Sequence, residues 1–252
     1  MTIITIINQK GGIGKSTTSH SIAAGLSLNG FRVLLVDLDS QMNLSQSTRV
    51  DVNNNNNTHS ILVKGTNVKD AIQYVKDNLD IIIGSPNLAH CDMEMMEVGK
   101  EYRLKEKLSE LNGMYDYIVI DTPPALGVIT INALTCANFV LVPCQADVFS
   151  VDAIMKLNDT INMVRTYTNK DLKIIGVLLT RYNKRSVLTR QIKDVISDMA
   201  KNMGSKLYDT EIREAIAIKE SQATKQDIFE YAPKSKVAND YMKIVKEIMK
   251  ER

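Results

Sequence analysis

The stretch Lys10-Gly11-Gly12-Ile13-Gly14-Lys15-Ser16-Thr17 governs how the rest of this 252-residue chain is read. It follows an apolar run at 3–7 and ends in Gly-Lys-Ser, as a Walker A loop does. Glycines let successive backbone N–H groups curl around an anion, where a Cβ would obstruct them. In such a loop Lys15 reaches the β- and γ-phosphates of a nucleotide and the Ser16 hydroxyl ligates Mg2+. The helix that starts here adds its positive N-terminal dipole. Gly11, Gly12, Ile13, Gly14, Lys15, Ser16 and Thr17 are therefore the candidate phosphate-binding residues. A second lysine, Lys10, stands just ahead of the glycines, where the general G-x-x-x-x-G-K-[ST] pattern does not require one.

Working outward, short β-branched runs alternate with longer amphipathic segments. The predicted strands are 3–7, 32–37, 80–83, 117–121, 139–143 and 173–180, and the predicted helices lie near 16–29, 87–111, 126–137, 148–168 and 186–203. The strands are almost continuously apolar, as parallel strands buried on both faces should be. The alternation predicts a doubly wound α/β fold: a mostly parallel sheet with helices on both faces and right-handed crossovers. A ligand then sits at the carboxyl ends of the strands, where the glycine loop already is. The chain reads as a single domain over 1–252, with no internal repeat and no linker. The asparagine run at 53–57 reads as a flexible surface loop.

Composition bounds the function classes. Charged residues make up 24% and hydrophobic ones 44%, and the net charge is +2, too small to signal a nucleic-acid binder without a local patch. Cys91, Cys136 and Cys144 have no metal-type spacing and read as reduced thiols. No leader precedes the loop, and no apolar run approaches the about 20 residues of a spanning helix.

Two further motifs fall at predicted strand ends: Asp37-Leu38-Asp39-Ser40-Gln41-Met42-Asn43 and Asp121-Thr122-Pro123-Pro124. A carboxylate at such a position can hold Mg2+, directly or through water, or orient an attacking water. Asp39 has a plainer reading as the cap of a turn or helix, and Pro123-Pro124 as a rigid strand exit.

At this point the chain resembles the ParA/Soj/MinD family of deviant Walker A ATPases, most closely the ParA/Soj partition branch. The matching text is N-Q-K-G-G-I-G-K-S-T-T at 8–18, V-L-L-V-D-L-D-S-Q-M-N at 33–43 and Y-D-Y-I-V-I-D-T-P-P-A-L-G-V-I-T-I-N-A-L at 115–134. Shorter matches are V-P-C-Q-A-D at 142–147 and G-V-L-L-T-R-Y at 176–182. The resemblance implies ATP and Mg2+ as cofactors and Lys10 as a signature lysine that crosses an ATP-sandwich homodimer to the partner's phosphates. A cation supplied in trans follows arginine-finger logic, which can be worth ~10³–10⁵ in rate. It further implies Lys10, Lys15 and Asp39 as catalytic residues, with Asp39 placing the hydrolytic water. Ser16, Asp37 and Asp121 would serve the metal, partly through water, and Thr122-Pro123-Pro124 would sense the γ-phosphate. The adenine region falls near Arg181, Tyr182 and 210–213. Ser40 and Met42 stand where the family has proline and glycine, which alters the stiffness of the loop that carries Asp39.

The best basic cluster runs through Arg181, Lys184, Arg185, Arg190 and Lys193, with a sparser set at Lys219, Lys225, Lys234 and Lys236. As charge runs, these are ordinary solvated surface. By resemblance, Lys184, Arg185, Arg190 and Lys219 would contact nonspecific DNA through its phosphates. The resemblance also implies a ParB-like adaptor that stimulates slow hydrolysis, a cytoplasmic, nucleoid-associated protein, and no N-terminal helix-turn-helix domain. The alternative is a MinD-like membrane-cycling ATPase. That reading needs the apolar stripe Tyr241, Ile244, Val245, Ile248, Met249 to meet a membrane; the simpler reading packs it on the sheet.

Overall fold

The computed structural model describes residues 1–183 and 187–251. Among these, seven strands form one sheet in the order β3-β4-β2-β5-β1-β6-β7. They are β1 (Thr2–Ile6), β2 (Val33–Asp37), β3 (Ile72–Lys76), β4 (Leu79–Ile82), β5 (Tyr117–Asp121), β6 (Phe139–Cys144) and β7 (Lys173–Leu179). Every pairing is parallel except β3 with β4. The helices are α1 (Lys15–Leu28), α2 (Asn43–Gln46), α3 (Thr58–Val63), α4 (Cys91–Glu94), α5 (Arg103–Ser109), α6 (Val128–Cys136), α7 (Val148–Tyr167), α8 (Val187–Asn202), α9 (Ile216–Ala223), α10 (Ile228–Tyr231) and α11 (Lys236–Ile248).

Strand alternation divides the interior into two cores. Leu34, Val36, Ile118 and Ile120 face the layer that contains Leu104, Leu134, Ile154 and Ile192, while Val33, Leu35, Tyr117 and Val119 face Ile22, Leu26, Tyr241 and Ile244. Both faces of the central strands are thus apolar, which is why their sequences read as unbroken hydrophobic runs. The doubly wound α/β expectation holds. The apolar stripe of α11 is buried against the sheet layer and α1: Tyr241, Ile244, Val245 and Ile248 are each at most 2% exposed. A Cβ at Gly25 of α1 would come within 2.6 Å of a Val245 methyl, so the Val245 side chain packs directly on the α1 backbone.

Two expectations are corrected. The strand β3 was absent from the sequence reading; it is an edge strand, half-buried, joined to β4 through Asn78 at φ +61. The predicted helix 87–111 is broken into a 3-10 turn (Pro86–His90), α4, a second 3-10 turn (Lys100–Tyr102) and α5, with Gly99 at φ +85 at the break. The asparagine run is a surface loop, ordered by local hydrogen bonds: Asn57 and Ser60 form a reciprocal capping box at the start of α3, and Asn54 accepts from the Asn56 N–H at 2.9 Å. Among the described residues no helix is long and apolar enough to cross a membrane.

Candidate functional site: a glycine-lined cavity over strand-end carboxylates

The loop between β1 and α1 takes its shape from glycine. Gly12 (φ +73) and Gly14 (φ +91) occupy the left-handed region, and no heavy atom lies within 4 Å of where their Cβ atoms would be. The space is open on the ligand side, and the dihedrals exclude most side chains. A cavity of about 620 Å³ lies over the loop, bounded by Gly11, Gly12, Gly14, Lys15, Ser16 and Thr17 from below and by Asp39, Gln41 and Pro124 from the side. Ile13 is fully buried and anchors the loop, its carbonyl accepting from Thr180 Oγ1 at 2.7 Å.

Beneath the loop, two buried carboxylates meet. Asp37 and Asp121 end neighbouring strands at paired positions of the β2–β5 register. Asp37 accepts from the Ser45 N–H (2.9 Å), the Ser45 hydroxyl (2.6 Å) and the Asp39 N–H (3.0 Å). Asp121 accepts from the Ser19 hydroxyl at 3.0 Å, while its Oδ2 is buried with no hydrogen-bond partner. Burial pushes both carboxyls above the usual range; the Asp37 charge lifts Asp121 further, and the Asp39 charge adds to the rise at Asp37. Burial pulls the Lys15 ammonium below its ordinary value, against the opposing pull of Asp121 and Asp39. Two facing carboxylates with an orphaned oxygen beside a serine hydroxyl suit a hard divalent cation with oxygen ligands. Mg2+ fits the chemistry of this donor set, which Ser16, Asp37 and Asp121 would supply.

Asp39 is 7% exposed and lines the cavity, but its Oδ1 also accepts from the Gln41 N–H at 3.0 Å. It is a turn cap and a cavity residue at once. Met42 adopts a left-handed backbone at φ +56, a conformation that ordinarily favours glycine. The Met42 side chain is buried and lies against the tight approach of Gly84.

Lys10 points elsewhere. Its ammonium is ion-paired with Asp147 and reaches Gln145 Oε1 at 3.4 Å, and it is not among the residues bounding the cavity of its own loop. Asp147 is the N-cap of α7, accepting from the Ser150 N–H at 3.0 Å. Burial raises the Asp147 carboxyl, but the Lys10 hydrogen bond and the Ser150 N–H outweigh it and hold it below the usual range.

A narrower cavity of about 160 Å³ adjoins the first and shares Gly12, Gly14, Thr17 and Gln222 with it. Arg181 lies along it, donating to the Gly12 carbonyl at 3.3 Å and to Glu214 at 2.7 Å. Ile212, Arg213 and Ala215 line its other wall. Tyr182 does not line this cavity: it is 8% exposed, its N–H donates to the Ile212 carbonyl, and its ring lies 5.7 Å from the Lys193 ammonium. Lys219, on α9, is exposed and also bounds the narrower cavity. Arg190 is exposed on α8. Lys184 and Arg185 lie outside the described residues. The sequence reading missed Gln222, whose amide donates to Thr17 Oγ1 at 2.9 Å, and also Ser19, Ser45 and Asp147; no local pattern marks them.

An anion cradle at the carboxyl edge of a parallel sheet, above strand-end carboxylates, defines a P-loop nucleotide-binding protein. Residues 1–174 match the family described as AAA domain. The chain is 37% identical to the sporulation initiation inhibitor protein Soj of Bacillus subtilis, over 98% of this chain and 97% of that one. Among solved structures it is similar to a plasmid partition protein of Borrelia burgdorferi bound to AMPPNP (27% identity, TM-score 0.83, covering 100% and 99%). It is also similar to cobyrinic acid a,c-diamide synthase of Mycobacterium smegmatis with bound ADP and magnesium (31% identity, TM-score 0.84, covering 100% and 95%). The chain belongs to the ParA/Soj family of partition ATPases.

Proposed function

We propose that this protein is a DNA-partition ATPase that works as an ATP-sandwich homodimer. ATP enters the cavity with its triphosphate along Gly11–Thr17 and its base toward Arg181 and the 212–215 wall. Tyr182 backs that wall from the interior. Lys15 contacts the β- and γ-phosphates, and Ser16 and Asp121, backed by Asp37, hold the cation. Bound Mg2+ neutralises charge that develops on the phosphates. Asp39 orients the attacking water. Lys10 leaves Asp147 and reaches the phosphates of the second copy.

The observation that carries this reading is the direction of Lys10. A lysine in the phosphate loop that turns its ammonium away from its own cavity is available to a neighbouring one. Val148 and Phe149, the first two residues of α7 beside Asp147, are 63% and 76% exposed, which suits a face that a second copy covers. The dimer binds DNA without sequence preference through phosphate contacts that include Arg190, Lys219, Lys184 and Arg185. A ParB-like adaptor accelerates slow hydrolysis, which releases the dimer from the nucleoid in the cytoplasm. The buried stripe of α11 favours this over a membrane-cycling role.

The test is Lys10→Ala. ATP binding should persist while hydrolysis stimulated by DNA and adaptor disappears. Stimulated turnover at the native rate in that variant would refute the role in trans. Gel retardation of DNA with ATP, ADP or no nucleotide, at two salt concentrations, tests the second half; ATP-only retardation that fades at high salt is expected.

A further inference from the structure

Away from the nucleotide cavity, three chemically different ligands converge where the predicted long helix broke. His59 lies in the first turn of α3, and Cys91 and Glu94 are the ends of α4. One ligand atom of each lies within 4.8 Å of both others. His59 Nε2 and Glu94 Oε2 are 2.7 Å apart. His59 and Cys91 are buried, at 4% and 0% exposure, while the Glu94 side chain is 39% exposed and opens the cluster to solvent on one side.

We infer that His59, Cys91 and Glu94 form a binding site for a borderline-soft divalent cation, Zn2+ foremost. The donor set of imidazole, thiolate and carboxylate is zinc chemistry, and Mg2+ does not select it. Three protein ligands leave a fourth, tetrahedral position for water, on the exposed Glu94 side. With metal–nitrogen and metal–oxygen distances of about 2.0 Å, tetrahedral ligands stand roughly 3.3 Å apart. The His59–Glu94 pair therefore opens by only about 0.6 Å to admit the ion. Cys91 closes from the other side. Its thiol proton leaves to solvent on binding, and the thiolate and carboxylate together neutralise the dication. Net neutrality is what a largely buried ion needs.

The local fold already fixes two of the ligands. The Asn57–Ser60 capping box sets the first turn of α3 and with it His59. The other end of α3 is held by Arg103, which donates to the Leu62 carbonyl at 2.6 Å. On α4, the neighbouring Asp92 accepts from the Val128 N–H at 2.7 Å and ties that short helix to α6. A bound ion would clamp α3 to α4, two elements of six and four residues that have little hydrogen bonding of their own.

The experiment uses full-length protein stripped with chelator and free of nucleotide. It is titrated with Co2+, followed by absorbance, then with Zn2+ against a chromophoric competitor. One equivalent of Co2+ should give a tetrahedral spectrum with a thiolate charge-transfer band, and Zn2+ should displace it. Cobalt at the all-oxygen nucleotide site gives no sulfur band, so the two sites are distinguishable. Cys91→Ala should abolish the band. Glu94→Gln, at a half-exposed position, should leave the fold intact by circular dichroism and weaken Zn2+ at least ~10-fold, since even outer-sphere partners cost that much. Absence of a sulfur band in the wild-type protein, or unchanged Zn2+ affinity in Cys91→Ala, would overturn the proposal and leave His59–Glu94 as a hydrogen-bonded pair only. The readout is independent of ATP turnover, so it stands or falls apart from the partition reading.

Discussion

Replacing Asp147 by asparagine should tighten the ATP-bound dimer. In the single subunit Asp147 holds the Lys10 ammonium, and the proposed dimer needs that ammonium elsewhere. The two side chains are 27% and 34% exposed, so solvent screens the pair and its worth is that of a surface ion pair, about 0.2–1 kcal/mol. A symmetric dimer opens two such pairs, so the cost of assembly is roughly 0.4–2 kcal/mol. Removing it should lower the dimer dissociation constant by about 2-fold to about 30-fold, at 1.4 kcal/mol per decade. Asparagine is the right substitution because Asp147 also caps α7 through the Ser150 N–H, and asparagine caps equally well. The folding midpoint should therefore hardly move. Sedimentation velocity over a series of protein concentrations with Mg2+ and AMPPNP measures the constant directly. A variant that folds normally and dimerises no better than wild type, or worse, would show that the Lys10–Asp147 pair does not compete with assembly.

Other outcomes follow from the same geometry. Asp121→Asn should raise the thermal stability of the nucleotide-free protein at pH 8 by ~1–3 kcal/mol, because it removes a buried carboxylate with an orphaned oxygen. The sign comes from the raised pKa. Burial and Asp37 lift Asp121 to about 8, so the native state favours its proton, and stability falls as pH rises from the ordinary carboxylate range toward that value. The gain should thus shrink as the pH is lowered to about 4, and the variant should lose Mg2+-dependent stabilisation by nucleotide; a pH-independent gain in thermal scans would contradict the assignment. Gly176→Ala should cost ~1–3 kcal/mol, since its Cβ would lie 2.2 Å from a ring carbon of Tyr208, itself 1% exposed; a chemical denaturation curve superimposable on wild type would dispose of the argument. Met42→Gly sets two terms against each other: relief of a left-handed backbone, ~1–2 kcal/mol, against loss of a buried side chain, ~1.5–3 kcal/mol. Burial is the larger, so the variant should be slightly less stable, and a clear rise in its unfolding midpoint would reverse that ranking.

The residues that the sequence made legible share one property: their neighbours in the chain carry the signal. The central strands could be read because both faces are buried, and Gly12, Gly14 and Lys15 because the loop is contiguous. β3 escaped because an edge strand with one half-buried face, Ile72–Lys76, has no apolar run to announce it. Gly99 did mark the break in the long predicted helix, but helical apolar spacing on each side of it, Leu88, Cys91 and Met95 before and Leu104, Leu108 and Leu111 after, made the two parts read as one. The partners of the site residues were out of reach for a different reason. Asp147 lies 137 positions from Lys10, and Glu214 33 from Arg181, so only the folded topology brings them together.

The pairing of Ile6 and of Asp37 with Asp121 means that three strands stop at one level. Because side chains alternate strictly along a strand, a one-residue deletion anywhere within β2 would swing Asp37 to the opposite face of the sheet. The chemistry of the cavity is thus written into the lengths of strands lying well beneath it. Loops around the pocket are free to diverge, whereas the spacing of these three segments is not.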